Sequence, residues 1–229
     1  MNTCLEQSIA ESGLSRPHYL LAQWQAERLR HSYADLCADP RFAPATEFFL
    51  QDLYGPRDFS KRDHDGERVV SKMQRLLPQR AMAAIQSALH LNRLTRELDQ
   101  AMVSMLFDHM AVETISADSY AQAYRLCGNR ALREEQISLV DALGHELDVV
   151  VKKPLVQMAL KLAHGPAHLA GLGELQDFLE RGVAAFLHMN GADSFLATIA
   201  RRERAILARI FSGAADPFAP ESATGDDHL

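Results

Sequence analysis

The sequence has only three cysteines, and no two of them have the spacing of a metal-binding or redox motif. Cys4, Cys37 and Cys127 are odd in number and far apart, so they predict neither a zinc knuckle nor a disulfide framework. The motifs Glu-x-x-His and His-Glu-x-x-His are also absent, which excludes a ferritin-like di-iron bundle and the common helical zinc protease site. We therefore assign no catalytic residue and no metal ligand from motifs.

Long apolar runs and an excess of basic charge are missing as well. No apolar stretch approaches the roughly 18 residues of a membrane span, and residues 1–10 do not resemble a secretory leader. The net charge is −6, and four acids of the C-terminal tail account for −4 of it, which leaves −2 for the body. We expect a cytoplasmic protein that binds neither nucleic acid nor a membrane.

Period-two alternation is absent too, so we predict no strands. Apolar residues recur instead at three- to four-residue spacing, which predicts an all-α, single-domain bundle of eight or nine helices. Residues 78–111 contain no glycine or proline after Pro78 and should form a helix about 50 Å long, around which the others pack. We expect residues 1–16 to be loosely ordered, 17–212 to form the helical domain, and 213–229 to be an acidic, disordered tail.

One stretch combines apolar bulk, a Gly-Pro pair and clustered charge. Its apolar residues predict a widely buried helix, Gly55 should end that helix in the left-handed conformation, and Pro56 should prevent its continuation. Asp58 or Ser60 can cap the next helix, and Ser60 with Asp63 resembles a capping box. We call this segment the corner; its candidate residues are Phe48, Phe49, Asp52, Tyr54, Gly55, Pro56, Asp58, Phe59 and Asp63.

The corner has two interpretations. In the structural one, its aromatic residues and Leu53 anchor the neighbouring helices onto the long helix, while the carboxylates are helix caps and surface ion-pair partners of Arg57, Lys61 and Arg62. In the functional one, Asp52, Asp58 and Asp63 form a carboxylate-rich ligand or metal site beside Tyr54. The residue types alone are consistent with both interpretations.

The corner also resembles a known family. An uncharacterised bacterial domain family carries a string similar to Phe48-Phe49-Leu50, Asp52-Leu53-Tyr54-Gly55-Pro56, Asp58-Phe59 and Arg62-Asp63. Residues 133–136 and 171–176 are similar to that family too, so the resemblance spans about residues 45–205. It implies a cytoplasmic, helical protein of unknown function, and it supplies no catalytic residues.

The ten histidines form no recognised metal motif. His164 and His168 are four residues apart, but we expect Gly165-Pro166 to break the helix face that they would share. His64-Asp65 resembles the paired ligands of helical metal-dependent phosphohydrolases over two residues only. A haem ligand would have to come from His90, His109 or His164, and nothing in the sequence selects among them.

Three hypotheses for the function follow. The first is a non-catalytic helical protein that acts through protein association, including association with itself as a homodimer. The second is a binder of a small molecule or cofactor, haem included, with its pocket between the long helix and the corner. The third and most remote is a metal-dependent phosphohydrolase.

Overall fold

The computed structural model describes residues 2–73 and 79–219, and this part of the chain is all α-helical with no β-strand, as predicted. Two π-helical turns, Phe49–Leu53 and Ser104–His109, extend the helices before them. The eleven α-helices of the described residues are α1 Asn2–Ser12, α2 Arg16–Ser32, α3 Ala34–Ala38, α4 Ala43–Phe48, α5 Ser60–Met73, α6 Gln79–Val103, α7 Ala117–Leu126, α8 Arg130–Val151, α9 Pro154–Leu169, α10 Gly173–Met189 and α11 Asp193–Ser212.

Both ends of the chain are more structured than the sequence suggested. The N-terminal residues form α1, whose last residue, Ser12, accepts a hydrogen bond from the Asp58 backbone N–H at 2.8 Å. Beyond α11, Phe218 is buried against Trp24 and Tyr120, because its ring completes an aromatic cluster. The ordered body thus extends to residue 219, and the rest of the expected tail lies outside the described residues.

The longest helix among the described residues is α6, and it continues as a π-helix to His109. The neighbouring helix α8 packs on α6, α9, α10 and α11, so these two helices together form the centre of the bundle. No helix within the described ranges is long and apolar enough to cross a lipid bilayer.

Two apolar cores lie side by side. The first is centred on Phe186, Phe195 and Leu196 and receives the corner aromatics, whereas the second is centred on Met102, Leu106 and Ile210. Residues of both cores line one shared cavity. The two cores therefore meet at an internal space.

Helix α9 runs through Pro166, contrary to our expectation that Gly165-Pro166 would end it. A residue before proline normally leaves the helical region because its Cβ collides with the proline ring. Gly165 has no Cβ, and apart from its chain neighbours and the backbone of α9 nothing lies within 4 Å of the place where one would be. As a result His164 and His168 do share one helix face, with their ring centroids 4.7 Å apart.

Candidate functional site

The corner aromatics Phe48 and Phe49 pack on α10 and α11, whereas we expected the corner aromatics to pack on the long helix α6. Phe48 stacks on Phe178 of α10 with ring centroids 5.3 Å apart, and Phe49 lies 5.7 Å from Phe195 of α11. Leu53, which we predicted to be an anchor, is 38% exposed. The corner thus joins an early segment of the chain to its last two helices.

Gly55 does not have the positive φ that we predicted; it is not among the glycines with that conformation. The helix ends instead in a π-turn, in which the Tyr54 N–H donates to the Phe49 carbonyl at 3.0 Å. This path leaves the position of a Cβ on Gly55 only 2.4 Å from the Gln51 carbonyl oxygen. Glycine is required here by close backbone approach. Pro56 follows within the same bend.

Asp52 is buried and forms the electrostatic link between the corner and α10. Arg181 donates two hydrogen bonds to its carboxylate, from Nη2 at 2.7 Å and from Nε at 3.1 Å, and Arg57 donates a third at 2.9 Å. The hydrogen bonds to Asp52 hold the pKa of Arg181 above its usual value. Bidentate arginine–carboxylate geometry of this kind fixes orientation as well as charge.

Asp63 connects α5 to α6 and does not take part in a capping box. Its carboxylate accepts hydrogen bonds from Asn92 at 3.1 Å and Arg96 at 2.7 Å, and from its neighbour Arg62. The buried Arg62 guanidinium lies 4.2 Å from the ring centroids of both Phe59 and Phe178. This cation–π arrangement places a charge inside the corner at low desolvation cost.

Asp58 supplies the helix cap that we predicted. Its Oδ1 accepts the Ser60 N–H at 2.8 Å, and hydrogen bonding to Ser60 holds the pKa of Asp58 below its usual value. All three corner carboxylates therefore have donors from the protein itself. We interpret the corner as a scaffold and look for the binding site on its inner side.

A cavity of about 100 Å³, lined by both polar and apolar side chains, lies between α6 and the inner side of the corner. Its polar and aromatic lining comes from α2, the first π-turn, α6, α7, α8 and α11. These lining residues include Gln25, Arg28, Tyr33, Tyr54, Thr95, Asp99, Tyr120, Tyr124, Arg133, Gln136 and Glu203. Ile137, Val140 and Ile199 add apolar surface.

One wall of the cavity holds a paired arginine. Arg28 Nη1 lies 2.5 Å from Glu203 Oε1, and the Tyr33 hydroxyl donates to the same oxygen at 2.7 Å. Burial is the largest single effect and lowers the pKa of Arg28, but the charge and hydrogen bond of Glu203 together with Tyr120 and Tyr33 raise it above its usual value. Arg28 is thus a cation that is already paired with the carboxylate of Glu203.

The cavity lining also includes a carboxyl group, Asp99. Gln25 Nε2 donates to Asp99 Oδ1 at 3.1 Å and to the Tyr120 hydroxyl at 3.4 Å. Burial raises the pKa of Asp99, and the bond from Gln25 and the charge of Arg133 offset this only in part. Burial also raises the pKa of Tyr54 to about 12, which keeps the phenol protonated as a hydrogen-bond donor at neutral pH.

Arg133 differs from Arg28 because no carboxylate hydrogen-bonds to it. It is 5% exposed, and its hydrogen-bond acceptors are the Leu98 carbonyl at 3.4 Å and Gln136 Oε1 at 3.5 Å, both long contacts. Its Nε, like that of Arg28, is buried and has no hydrogen-bond partner. The Tyr124 ring, 4.5 Å from the guanidinium carbon, provides a cation–π contact. The cavity thus contains a buried cation with unused hydrogen-bonding capacity.

The histidines considered as haem or metal ligands are elsewhere. His90, His109 and His164 are exposed and hydrogen-bonded to Glu135, the Ser104 carbonyl and Glu180, respectively. None of the three lines the cavity, which contains no serine or cysteine either. Asp65, proposed with His64 as a ligand pair, is paired with Lys61 and Arg68. The cavity lining combines the cations Arg28 and Arg133 and several hydrogen-bonding groups with the carboxyl groups of Asp99, Asp141 and Glu203.

No sequence motif indicated that Arg28, Asp99, Arg133 and Glu203 would line a cavity. The sequence does contain a pattern that indicates one of them: Arg133 precedes Ile137 by four residues and Val140 by seven, so it lies on the inward stripe of α8. A charged residue on such a stripe is expected to be buried, and buried charge marks functional sites more often than exposed charge does.

These features define an all-α protein whose two apolar cores enclose a polar cavity. Residues 5–217 match the model of a domain of unknown function (DUF8198), and the chain belongs to this family. The match includes the corner, the cavity and all helices from α2 to α11. Neither a curated protein nor a solved structure gave a significant match.

Proposed function

We propose that this protein binds a small anionic molecule in the cavity between α6 and the corner. The observation that carries the proposal is Arg133, a buried guanidinium without a hydrogen-bonded anion. Burying a charge without a paired partner costs several kcal/mol, so a bound anion would recover that free energy. Glu203 is already occupied by Arg28 and Tyr33, and Asp99 accepts its hydrogen bond from Gln25.

Size and lining specify the ligand further. An engineered cavity of about 150 Å³ accepts benzene, so a cavity of about 100 Å³ suits a molecule of a few carbon atoms. Arg133 would bind a carboxylate at one end, and Ile137, Val140 and Ile199 would contact an apolar body. Tyr54 and Gln25 would supply hydrogen bonds. A short monocarboxylic acid fits this combination.

A ligand-free stability comparison tests the role of Arg133. We expect Arg133→Met to leave the free energy of unfolding unchanged or to raise it, because an apolar side chain of similar length replaces an unpaired buried cation. Arg28→Met is the matched control; it should lower stability by about 2 kcal/mol, because it leaves Glu203 without its cation. Urea denaturation measures both, and equal destabilisation by the two variants would show that Arg133 is structural.

A direct binding test uses thermal shift with acetate, butyrate, benzoate and inorganic phosphate. We expect at least one carboxylate to raise the melting temperature of the wild-type protein, because a ligand that binds only the folded state stabilises it. Arg133→Met should abolish the rise. The proposal fails if none of the probes raises the melting temperature, or if Arg133→Met responds like wild type.

Self-association is a second candidate function, favoured by the outer face of α9. None of the residues of α9 is buried, and its large outer side chains are 70% (Leu155), 54% (Met158), 71% (Leu162) and 92% (Leu169) exposed. The stripe is nearly symmetric about Leu162, because Leu155 and Leu169 are each seven residues away from it. Two copies of α9 packed antiparallel would therefore pair Leu155 with Leu169 in both halves of a two-fold interface.

We accordingly propose a homodimer, in a reducing cytoplasm where the unpaired cysteines Cys4, Cys37 and Cys127 remain reduced. Light scattering should give twice the chain mass of 25.5 kDa at micromolar concentration. Leu162→Glu should give the monomer mass, because it opposes two carboxylates across the axis. Leu126→Glu, at a 56% exposed position on α7, should remain dimeric. A monomeric wild-type protein or a dimeric Leu162→Glu variant would contradict this interface.

A further inference from the structure

We propose that His164, His168 and Asp177 form a binding site for a divalent transition-metal ion such as Zn²⁺. One potential ligand atom from each of these side chains lies within 4.8 Å of the others, and this is the group of described residues with metal-ligand spacing. The two histidines are on one face of α9, and Asp177 is on the facing helix α10. The proposal does not depend on the cavity or its ligand.

The local geometry supports coordination across the two helices. His168 Nε2 lies 2.9 Å from Asp177 Oδ1, and His164 Nδ1 lies 2.9 Å from Glu180 Oε1. Ligand atoms around a tetrahedral zinc ion are about 3.4 Å apart. Side-chain rotations that move the ligand atoms by about 1 Å would therefore bring all three to coordinating positions. Glu180 would supply a fourth ligand or a hydrogen bond to a coordinating imidazole, as carboxylates do beside zinc-bound histidines.

The chemistry of the ligands selects the class of metal. Two imidazoles and a carboxylate favour zinc and its neighbours over Mg²⁺ and Ca²⁺, which prefer oxygen ligands. The side chains of His164, His168 and Asp177 are 54%, 42% and 42% exposed, so an ion can reach them from solvent. Gly173 makes room for this arrangement, because a Cβ on it would lie 2.6 Å from His168 Nδ1.

A metal here would join α9 to α10. Since none of the residues of α9 is buried, its packing against the bundle is shallow. An ion that bridges the two helices would stabilise the folded state, because the ligands are brought together only there. The ion would thus add a coordination link between two helices that already pack side by side.

The test uses full-length protein without a histidine tag, treated with chelator and then titrated with zinc sulfate in a calorimeter. We expect one ion per chain, bound with a dissociation constant on the order of 1 μM or tighter. We also expect the melting temperature to rise with zinc. His164→Ala and His168→Ala should each weaken binding at least about tenfold.

His90→Ala is the matched control, because His90 also pairs with a carboxylate, Glu135, between two helices but has no second histidine beside it. It should bind zinc like wild type. The proposal is overturned if wild-type protein binds no zinc at micromolar concentration, if either variant of the α9 histidines binds normally, or if His90→Ala loses as much affinity as they do. All three substitutions are at exposed positions, and circular dichroism verifies that each variant is folded.

Discussion

Phe195→Ala should lower the free energy of unfolding by about 3–5 kcal/mol, because a fully buried aromatic ring is removed and a cavity remains. Phe195 is 1% exposed and lies 5.7 Å from both Phe42 and Phe49. Its ring is the surface of α11 that Phe49 of the corner contacts. Such a loss is a large part of the roughly 5–15 kcal/mol that stabilises a typical domain. Urea denaturation measures the loss, with an unchanged slope as evidence that the transition itself is unaltered.

Phe42→Ala is the control for this prediction. Phe42 contacts the same ring but is only partly buried, so its truncation removes less area from the core. Its cost should be clearly smaller than that of Phe195→Ala. If Phe195→Ala is within about 1 kcal/mol of wild type, the corner does not depend on this aromatic contact.

Gly55→Val should destabilise the protein by about 2–3 kcal/mol, because its Cβ cannot fit beside the Gln51 carbonyl without a backbone shift. The expected position of that Cβ is 2.4 Å from the oxygen, and the obstacle is main chain, which does not move aside as a side chain can. The backbone shift would also displace Asp52 and Tyr54, which belong to the corner. Tyr54 also lines the cavity. Thermal and urea denaturation measure the effect.

Gly165→Ala provides the opposite case. Gly165 lies within α9, and no residue other than its chain neighbours and the helix backbone lies within 4 Å of the expected Cβ position. Alanine has the higher helix propensity, by up to about 1 kcal/mol, but its Cβ also restores the clash with the ring of Pro166. We therefore expect a change of less than 1 kcal/mol in either direction. A Gly55→Val variant that melts like Gly165→Ala would refute the close-approach explanation.

The periodic placement of apolar residues was enough to predict the all-α fold and most helices, because helix burial follows a 3.6-residue repeat. Local sequence rules also account for the start of α7, where Ser116 accepts the Ser119 N–H at 3.1 Å, as serine at an N-cap commonly does. They do not account for Tyr33, where a backbone bend separates α3 from α2. Nothing in the hydrophobic pattern marks that bend.

The partners of the corner were beyond sequence reasoning for a physical reason. Asp52 meets Arg181 and Phe49 meets Phe195, contacts that join residues more than 125 positions apart. A helix shows in its sequence which face is buried, but not which other helix covers that face. The residues that line the cavity were not predicted for the same reason, since they come from seven α-helices and a π-turn, most of which contribute only one to three side chains.

The aromatic contact of Trp24 gives the protein a built-in optical reporter. Trp24 is the single tryptophan of the chain, and its ring stacks on Tyr120 at a centroid distance of 4.0 Å. The Tyr120 hydroxyl accepts a hydrogen bond from Gln25, which also binds Asp99 at the cavity wall. A molecule that displaces Gln25 removes the hydrogen bond to Tyr120, and Tyr120 stacks directly on the Trp24 indole. Occupancy of the cavity can therefore be followed by intrinsic fluorescence, without a label and without altering the sequence.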